Sequence, residues 1–456
     1  MTLAVSGLVF PLHERLKGHD SSARRRALER SQWWSPEALL RHRVERLRRF
    51  LIEAQTHVPY YRRLFAERNF DPSSLEDFTE LARIPLLDKQ SIRANLGALR
   101  SDRAGSLKRY NTGGSSGEPL VFFMGKERIS HDVAAKWRAT RWWGVDIGDP
   151  EVVVWGSPIE LAAQDRLRGL RDRLLRTTLL PAFEMSSAKI EGFVDTIRAI
   201  RPRMIFGYPS ALAHIARHAA RTGRRLDDLG VRVVFVTSEM LYQDQRAAIA
   251  RAFACPVANG YGGRDAGFVA HECPSGGMHI SAEDLVVEIV DANGMPLPPG
   301  HSGEVVVTHL ATGDFPFVRY RTGDIASLDA RLCLCGRGLP LLSNIQGRTT
   351  DFVVARDGTV MHALALIYAV RDLPGVEQFR ITQHDVERTE VQLVVTSAFS
   401  CEHERKLVRD FKSRLGVSVQ IDVRKVDRIA PERSGKHRYV VSRVPVADTS
   451  VTSVEA

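Results

Sequence analysis

Apolar residues recur every three or four positions along residues 35–55, which is the spacing of an amphipathic helix. The segment Val58–Tyr61, Val-Pro-Tyr-Tyr, interrupts this pattern, because proline is poorly tolerated inside a helix. The pattern therefore predicts a helix over 35–55 that ends near Val58.

From about residue 150 the chain changes to short apolar runs that alternate with helical periodicity. The predicted strands are 151–155, 203–207 and 231–237, and the predicted helices are 191–200, 210–221 and 243–253. Strands that alternate with helices in this way predict βαβ units and a largely parallel sheet. Ligands of such sheets usually bind beyond the carboxyl ends of the strands.

Residues 284–290 and 303–310 are strand-like and flank an Asn-Gly turn, which predicts an antiparallel β subdomain. After Gly347 the predicted elements are strands 375–383, 390–396 and 417–427 and a helix over 402–415. The predicted fold class is therefore α/β. A large N-terminal domain, with parallel-sheet α/β layers and the antiparallel subdomain, precedes a small mobile α+β domain. We place these domains at 1–347 and 348–456, with residues 1–35 as a candidate extension.

A chain of 456 residues with 44% hydrophobic and 26% charged residues fits a soluble globular protein of two or three domains. It has no run of the roughly 20 apolar residues that a membrane helix needs, so no membrane partner is expected. Its five cysteines are an odd number in a chain without an export signal. This predicts reduced thiols and a cytoplasmic location.

The formal net charge of +10 raises the question of nucleic-acid binding. The excess charge is carried mainly by arginines that are spread along the chain. Its densest stretches, 24–26 and 41–49, lie in helix-like segments where charges fill a solvated face. Nucleic-acid binding is thus the weakest interpretation, and binding of a polyanionic nucleotide is favoured.

A glycine- and hydroxyl-rich segment at Tyr110–Pro119 suits an anion, because closely spaced backbone N–H groups and hydroxyls can surround phosphate oxygens. Its candidate phosphate-binding residues are Thr112, Gly113, Gly114, Ser115, Ser116 and Gly117. No Gly-Lys-Ser/Thr follows, so this is not the loop of P-loop NTPases. The site would need Mg²⁺ or a distant lysine, and Lys436 in Glu432–His437 is the candidate. An ordinary surface turn is the alternative for the segment alone.

Three further motifs carry side chains that suit a nucleotide. In Asn259–Gly267, Tyr261 offers a flat face for a purine and Asp265 a ligand for Mg²⁺. Asp324, after a glycine, can accept hydrogen bonds from the two ribose hydroxyls. Arg348, near the domain boundary, can bind a phosphate or the ribose.

Taken in order, these motifs resemble those of the adenylate-forming enzymes. More narrowly, the chain resembles the phenylacetate–CoA ligase branch and its capsule-biosynthesis-like members, over about residues 36–440. The motifs that carry the resemblance are Thr-Gly-Gly-Ser-Ser-Gly-Glu-Pro, Tyr-Gly-Gly-Arg-Asp, Tyr-Arg-Thr-Gly-Asp, Gly-Arg-Thr-Thr-Asp and Ser-Gly-Lys. Val58–Tyr61 and Cys335–Pro340 are typical of that branch.

The resemblance implies a role for each motif. Residues 112–117 would hold the β- and γ-phosphates of ATP, and Asp265 would bind Mg²⁺. Ser238 and Glu239 would contact the adenine, on which Tyr261 would stack, and the other residues implied at the nucleotide are Gly262, Asp324 and Arg348. Lys436, on the small domain, would be the catalytic residue that stabilises charge as the carboxylate attacks the α-phosphorus.

The expected reaction joins a carboxylic acid to AMP, releases pyrophosphate and passes the acyl group to an acceptor. Coenzyme A is the leading acceptor, and a carrier-protein thiol, an amine or a hydroxyl is the alternative. The alternatives stay open because a glycine-rich segment of CoA ligases is replaced here by Ala355–Thr359, Ala-Arg-Asp-Gly-Thr. A nucleotide-binding protein without catalysis is a weaker interpretation, since Asp265, Asp324 and Lys436 are all present.

The acid is expected to bind near the strand ends, where the candidate pocket residues are Gly207, Tyr208, Pro209 and Thr237. The aromatic pair Trp142–Trp143 could lie close to them. Aromatic side chains favour an aryl acid, although they pack cores equally well. The resemblance also makes a homodimer plausible.

Four cysteine and histidine residues form a separate prediction. Cys273 and His279 flank a Pro-Ser-Gly-Gly turn, and Cys333 and Cys335 follow about sixty residues later. Zinc prefers four nitrogen and sulfur ligands from paired positions on two loops, so a structural zinc site is predicted. His271 is the rival fourth ligand, and free thiols on two unconnected loops are the alternative.

Overall fold

The structure is a computed structural model that describes residues 2–111, 120–155, 171–182, 187–348, 352–357, 360–362, 364–371, 373–430 and 439–444. It divides into two compact units, Met1–Gln346 and Gly347–Ala456. The fold class predicted from the sequence is confirmed, with parallel and antiparallel strands in the first unit and an α+β second unit.

The first unit begins with helices. They are α1 (Thr2–Ala4), α2 (Phe10–Leu16), α3 (Ser21–Ser31), α4 (Pro36–His57), α5 (Pro59–Glu67) and α6 (Lys89–Ala94), with a π-helical turn at Val5–Val9 and 3-10 turns at Pro72–Ser74 and Phe78–Arg83. The predicted helix over 35–55 is confirmed as α4. It begins after Ser35, whose hydroxyl accepts a hydrogen bond from the Ala38 N–H at 3.2 Å. Pro59 ends α4 and begins α5, because proline suits the first turn of a helix.

An α/β segment follows a short hairpin. Its elements are β1 (Lys108–Asn111), β2 (Val121–Met124), α7 (Lys126–Trp142), β3 (Glu151–Trp155), β4 (Thr177–Pro181), α8 (Ser187–Ile200), β5 (Met204–Gly207), α9 (Pro209–Arg221), β6 (Val233–Thr237) and α10 (Gln243–Phe253). The predicted strands and helices of this segment are confirmed to within four residues at their ends. Every residue of β5 and β6 is buried, as in parallel strands whose two faces are both covered.

The chain then continues with seven strands, which are β7 (Val257–Gly263), β8 (Gly267–Glu272), β9 (Met278–Ile280), β10 (Leu285–Val290), β11 (Gly303–His309), β12 (Tyr320–Asp329) and β13 (Leu341–Arg348). They complete one sheet of order β10-β11-β12-β13-β9-β8-β7-β6-β5-β3-β4. β7 pairs parallel with β6 and antiparallel with β8. The predicted antiparallel strands therefore extend the parallel sheet.

Three of the motifs lie in strands that apolar periodicity did not predict. Tyr261 lies in β7, Asp324 in β12 and Arg348 in β13. Glycine and polar residues break the alternation of apolar residues at these positions. Partly exposed ends of strands need no alternating pattern, which is why periodicity did not detect them.

The second unit contains β14 (Phe352–Val354), β15 (Val360–His362), α11 (Leu364–Arg371), β16 (Val376–Gln383), β17 (Arg388–Val395), α12 (Cys401–Leu415), β18 (Gln420–Lys425) and β19 (Val440–Ser442). Its four-stranded sheet has the order β18-β17-β16-β19. The strands and the helix predicted here are confirmed. Gln383 is fully buried, and its amide bonds both the N–H of Val354 at 3.0 Å and its carbonyl at 2.7 Å. This joins the β14–β15 hairpin to the sheet.

Among the described residues, no helix combines the length and the apolar character needed to cross a bilayer. 

Arg319 is a structural residue that directly precedes β12 and the Tyr-Arg-Thr-Gly-Asp motif. Only 2% of it is exposed, and it forms an ion pair with Glu288 at 3.0 Å. Its guanidinium also donates to the carbonyls of Ile84 at 2.7 Å and Gly294 at 2.6 Å. One side chain thus connects β10, β12 and two loops.

We expect Arg319→Met to lower the free energy of unfolding by about 3–5 kcal/mol, because it leaves Glu288 charged and buried without its partner. Chemical denaturation monitored by circular dichroism would measure this loss. Arg331→Met is the matched control, since Arg331 pairs with Asp329 on the surface and should leave stability unchanged. Equal effects of the two substitutions would contradict the structural role of Arg319.

Candidate functional site

The ends of three parallel strands form one edge of the sheet. Gly207 ends β5 beside Val236 of β6, and Thr237 ends β6 beside Gly260 of β7. The candidate pocket residues therefore follow adjacent strands, and Tyr261 is the next residue of β7. This is the edge at which parallel sheets usually bind ligands.

The β7–β8 hairpin has a tight geometry that only glycine allows at Gly262. The φ angle of this residue is +157°, and a Cβ atom there would lie 2.1 Å from the Gly267 carbonyl oxygen. The register of the two strands shifts between Tyr261 and Gly262. The hairpin consequently turns sharply and presents Arg264 and Asp265 at its tip.

Tyr261 and Asp324 meet although β7 and β12 are not neighbours in the sheet. The Tyr261 hydroxyl donates a hydrogen bond to Asp324 Oδ2 at 2.8 Å. Both side chains are partly exposed. The residue proposed to stack on a purine and the residue proposed to bind a ribose therefore lie side by side.

Asp265 is 8% exposed and hydrogen-bonded through both carboxylate oxygens. The Tyr320 hydroxyl donates to Oδ2 at 2.7 Å, and the Ala266 N–H donates to Oδ1 at 3.1 Å. Each oxygen keeps a second lone pair, so the carboxylate can still ligate a cation while the two donors fix its orientation. The residues present fit Mg²⁺.

Arg264 connects this hairpin to the glycine-rich segment. Its guanidinium donates to the Asn111 carbonyl at 3.1 Å, and Asn111 is the last residue of β1. Asn111 pairs with Val121, so β1 and β2 are held together on both sides of that segment. Residues 112–117 and Lys436 lie outside the described residues, and their roles stay predictions. Arg348 is the last residue of β13.

Ser238 and Glu239, predicted at the adenine, follow β6 directly. Ser238 has a φ angle of +71°, which is unusual for a residue with a side chain and is common at binding sites. Glu239 Oε2 accepts a hydrogen bond from the Ser210 N–H at 3.2 Å, in the first turn of α9. The carboxylate thus also stabilises the positive end of that helix. Adenine contact by these residues stays a prediction.

The candidate acid pocket contains a stacked aromatic pair. Trp155, the last residue of β3, stacks on Tyr208 with ring centroids 4.2 Å apart. Thr237 is 7% exposed. The Trp142–Trp143 pair has other partners, because Trp142 packs on the His279 ring at 5.5 Å and Trp143 donates to the Glu272 carbonyl at 3.0 Å. Trp155 is the aromatic residue that the sequence analysis missed.

A buried charged cluster beneath the β7–β8 hairpin was also missed. His131, Asp132 and His309 lie close together, and Arg128 pairs with Asp132 at 3.0 Å while donating to the Asp265 carbonyl. Burial opposes ionisation of Asp132, but Arg128 and the two histidines outweigh it, so the pKa of Asp132 is lowered. Burial lowers the pKa of His309 to about 3.

The hydrogen bonds of His309 argue against a metal ion in this cluster. Its Nδ1 accepts from the Ala311 N–H at 3.3 Å, so in the neutral ring the proton is on Nε2. Nε2 faces Asp132 at 3.9 Å and has no lone pair for a metal. The cluster instead forms a buried charge network, and Arg128 connects this network to the hairpin through the Asp265 carbonyl.

Three thiols and one imidazole also come together. Cys273 Sγ lies 3.6 Å from Cys333 Sγ, and His279 Nε2 lies 3.2 Å from Cys335 Sγ. The four ligand atoms all lie within 4.8 Å of one another. His271, the rival ligand, stacks on Phe268 and is not part of this group.

A cleft of about 450 Å³ lies at the opposite end of the parallel strands. It is lined by the first residues of β3, β4 and β5, which are Glu151, Thr177 and Met204, and by side chains of α2 and α7. None of the motif residues that the structure describes lines this cleft.

Two family models match the chain. Residues 176–312 match the AMP-binding enzyme family, and residues 353–443 match the CapK C-terminal domain. The first match contains β4 to β11, including the β7–β8 hairpin. The second covers most of the described part of the second unit.

Curated proteins resemble the chain over most of its length. A phenylacetate–coenzyme A ligase of Pseudomonas putida is 28% identical over 88% of this chain and 93% of its own length. Protein CapK of Staphylococcus aureus is 23% identical over 88% of each chain. Among solved structures, a 2-hydroxyisobutyryl-CoA ligase in the postadenylation state has a TM-score of 0.72 at 21% identity, with 91% of each chain covered. The last likeness establishes the fold.

We expect the free energy of unfolding to fall as the pH drops below about 6.5, the ordinary pKa of histidine, because unfolded His309 takes up a proton that the folded protein does not. The loss continues until the pH approaches the folded pKa of about 3. In His309→Gln the decline between pH 6.5 and 4 should be shallower than in the wild type. Urea unfolding at several pH values would measure it. The exposed His301→Gln serves as the control, and an unchanged slope in His309→Gln would contradict a neutral buried His309.

Proposed function

The chain belongs to the adenylate-forming superfamily, in its phenylacetate–CoA ligase and CapK-like branch, and we propose that it activates a carboxylic acid with ATP and passes the acyl group to coenzyme A. It is thus an AMP-forming acid ligase, as the motifs predicted. The finer assignments, which are the acid, the acceptor, the metal ions and the site residues, form the proposal.

The hydrogen bond between Tyr261 and Asp324 carries the assignment of the nucleotide site. It joins two motifs that are about sixty residues apart at the carboxyl edge of the parallel strands. A purine that stacks on the Tyr261 ring would place its ribose near the Asp324 carboxylate, which can accept hydrogen bonds from both hydroxyls. Ser238, Glu239, Gly262 and Arg348 complete the proposed nucleotide site.

In the first half-reaction a carboxylate oxygen attacks the α-phosphorus of ATP. An acyl–oxygen–phosphorus linkage forms, the bond between the α-phosphorus and its bridging oxygen breaks, and pyrophosphate leaves. This displacement depends on alignment and on neutralising the phosphates. Backbone and hydroxyl groups of residues 112–117 would hold the outgoing phosphates, and Lys436 would stabilise charge at the α-phosphate.

Mg²⁺ would be held by Asp265, and it supplies positive charge to the phosphate oxygens. The Tyr320 hydroxyl and the Ala266 N–H orient this carboxylate. Arg264, at the tip of the same hairpin, bonds the end of β1 and so fixes the start of the phosphate-binding segment.

In the second half-reaction a thiol sulfur attacks the acyl carbon and AMP leaves. Coenzyme A is proposed as the thiol because the curated relatives include phenylacetate–coenzyme A ligases. A carrier-protein thiol, an amine or a hydroxyl remains the second candidate, since the second unit matches the CapK C-terminal domain and carries Ala355–Thr359 in place of a glycine-rich segment. The Trp155–Tyr208 stack at the strand ends favours a flat aryl acid.

ATP–pyrophosphate exchange tests acid activation directly. We expect one aryl acid, from a panel of aryl, fatty and amino acids, to stimulate the exchange, and Lys436→Ala to reduce it by about 100-fold or more, as for removal of a group that stabilises transition-state charge. Lys406→Ala, a surface lysine of α12 paired with Asp410, is the control and should retain full exchange. Full exchange in Lys436→Ala would show that the catalytic lysine is misassigned.

Substitutions at Tyr261 and Asp324 test the nucleotide site. We expect Asp324→Ala to lower kcat/KM for ATP by about 10- to 100-fold, the value of about 1.5–3 kcal/mol for hydrogen bonds to a charged group. Tyr261→Phe keeps the aromatic ring but removes the hydrogen bond to the Asp324 carboxylate. We therefore expect it to lower kcat/KM for ATP by a smaller factor. Asp329→Ala, at the other end of the same strand, is the control. If Asp324→Ala binds ATP as the wild type does, the ribose assignment is wrong.

A further inference from the structure

We propose that Cys273, His279, Cys333 and Cys335 bind a single structural zinc ion. The ligands come from the end of β8, from β9 and from the segment that connects β12 to β13. This site goes beyond acid activation and is independent of it, because none of the four residues belongs to the proposed nucleotide or acid sites.

The distances match a tetrahedral ion. Zinc–sulfur bonds of about 2.3 Å and zinc–nitrogen bonds of about 2.0 Å give tetrahedron edges of about 3.8 Å between sulfurs and about 3.5 Å between sulfur and nitrogen. The observed edges are 3.6 Å between Cys273 and Cys333 and 3.2 Å between His279 and Cys335. A disulfide would require about 2.05 Å, so the first pair of sulfurs is not bonded.

The His279 ring is oriented as in a zinc ligand. Its Nδ1 lies 3.3 Å from the Leu339 carbonyl, which accepts a hydrogen bond from that nitrogen. The proton is therefore on Nδ1, and the lone pair of Nε2 points toward the thiols. A carbonyl that fixes the tautomer in this way is a common partner of metal-bound histidine.

Polar groups lie around two of the thiols. The backbone N–H groups of Ser275 and Gly277 donate to Cys273 Sγ, and Arg337 donates to Cys335 Sγ through its backbone and its side chain. Three thiolates with Zn²⁺ carry one net negative charge, which the Arg337 guanidinium balances. Gly277 is required here, since a Cβ atom would lie 2.6 Å from Cys333 Sγ.

Apolar burial does not explain how the Cys333–Cys335 segment is held. Leu332 is 66% exposed and Leu334 is 97% exposed, so the apolar side chains beside both cysteines face outward. A bound metal ion would hold the Cys333–Cys335 segment in place, because its exposed leucines do not. All four positions of the tetrahedron are filled by side chains, which is the arrangement of a structural site and leaves no place for a substrate.

The proposed ion also supports the start of the chain. Trp142 packs on His279 and donates to the Gln32 side chain at 2.8 Å. Arg337 lies over the Trp142 ring at 4.5 Å and the Trp33 ring at 4.8 Å. The residues between α3 and α4 therefore pack against the Cys333–Pro340 segment, and loss of zinc should make them more mobile.

Elemental analysis of the purified full chain tests the proposal. We expect one zinc per chain, and X-ray absorption at the zinc edge should show three sulfurs at about 2.3 Å and one nitrogen at about 2.0 Å. Absence of metal after growth and purification with zinc present would overturn the proposal. Stoichiometric iron or copper, or a zinc shell without sulfur, would also overturn it.

Variants test whether these four residues are the ligands. We expect Cys335→Ser to lower zinc content at least tenfold and to increase hydrogen exchange at residues 31–36, whereas Cys401→Ser, an exposed thiol in the second unit, should retain one zinc. Should Cys335→Ser be insoluble, release of zinc from the wild type by a thiol-modifying reagent gives the same answer, because only thiolate-bound zinc is released. Zinc that stays bound in both experiments would exclude these ligands. Neither readout uses catalysis, so failure of the proposed ligase activity would leave this result unaffected.

Discussion

The arrangement of the candidate site depends on a steric constraint at the β7–β8 hairpin. The backbone at Gly262 approaches the Gly267 carbonyl so closely that no side chain fits between them. This close approach ends the parallel half of the sheet, begins the antiparallel half, and places Tyr261 and Asp265 on either side of the turn. One hydrogen bond joins Asp324 to Tyr261, and another joins the Asn111 carbonyl, at the end of β1, to Arg264.

Buried charges support that hairpin in addition to the apolar packing of Ala266, Val269 and Ala270. Arg128 holds two carbonyls of the turn and pairs with Asp132, whose environment includes two buried histidines. Arg319 provides a similar connection at the start of β12. Burying such groups costs free energy unless their partners are fixed, so these networks favour one arrangement of the strands over others. The two networks therefore limit the alternative positions of the motif residues.

Different interactions stabilise the two sides of the antiparallel region. On the nucleotide side, the hairpin rests on this charge network and on Tyr320. On the other side, β8, β9 and the connection after β12 converge at three thiols and His279, against which α7 and the residues before α4 pack. The residues between α3 and α4 therefore contribute to the first unit through contacts with the Cys333–Pro340 segment, although they contain none of the proposed nucleotide-site residues.

The sequence by itself determined the family and the α/β fold class, because ordered motifs and apolar periodicity are local properties of the chain; the roles of the candidate site residues stay predictions. It identified Cys273, His279, Cys333 and Cys335 from their spacing, although it could not choose His279 over His271. Only the tertiary structure decided which residues meet. The Tyr261–Asp324 contact, the buried cluster around Asp132, the Trp155–Tyr208 stack and the burial of Arg319 all join positions that are far apart in sequence. Their pairing depends on strand order and register, which a single sequence does not specify.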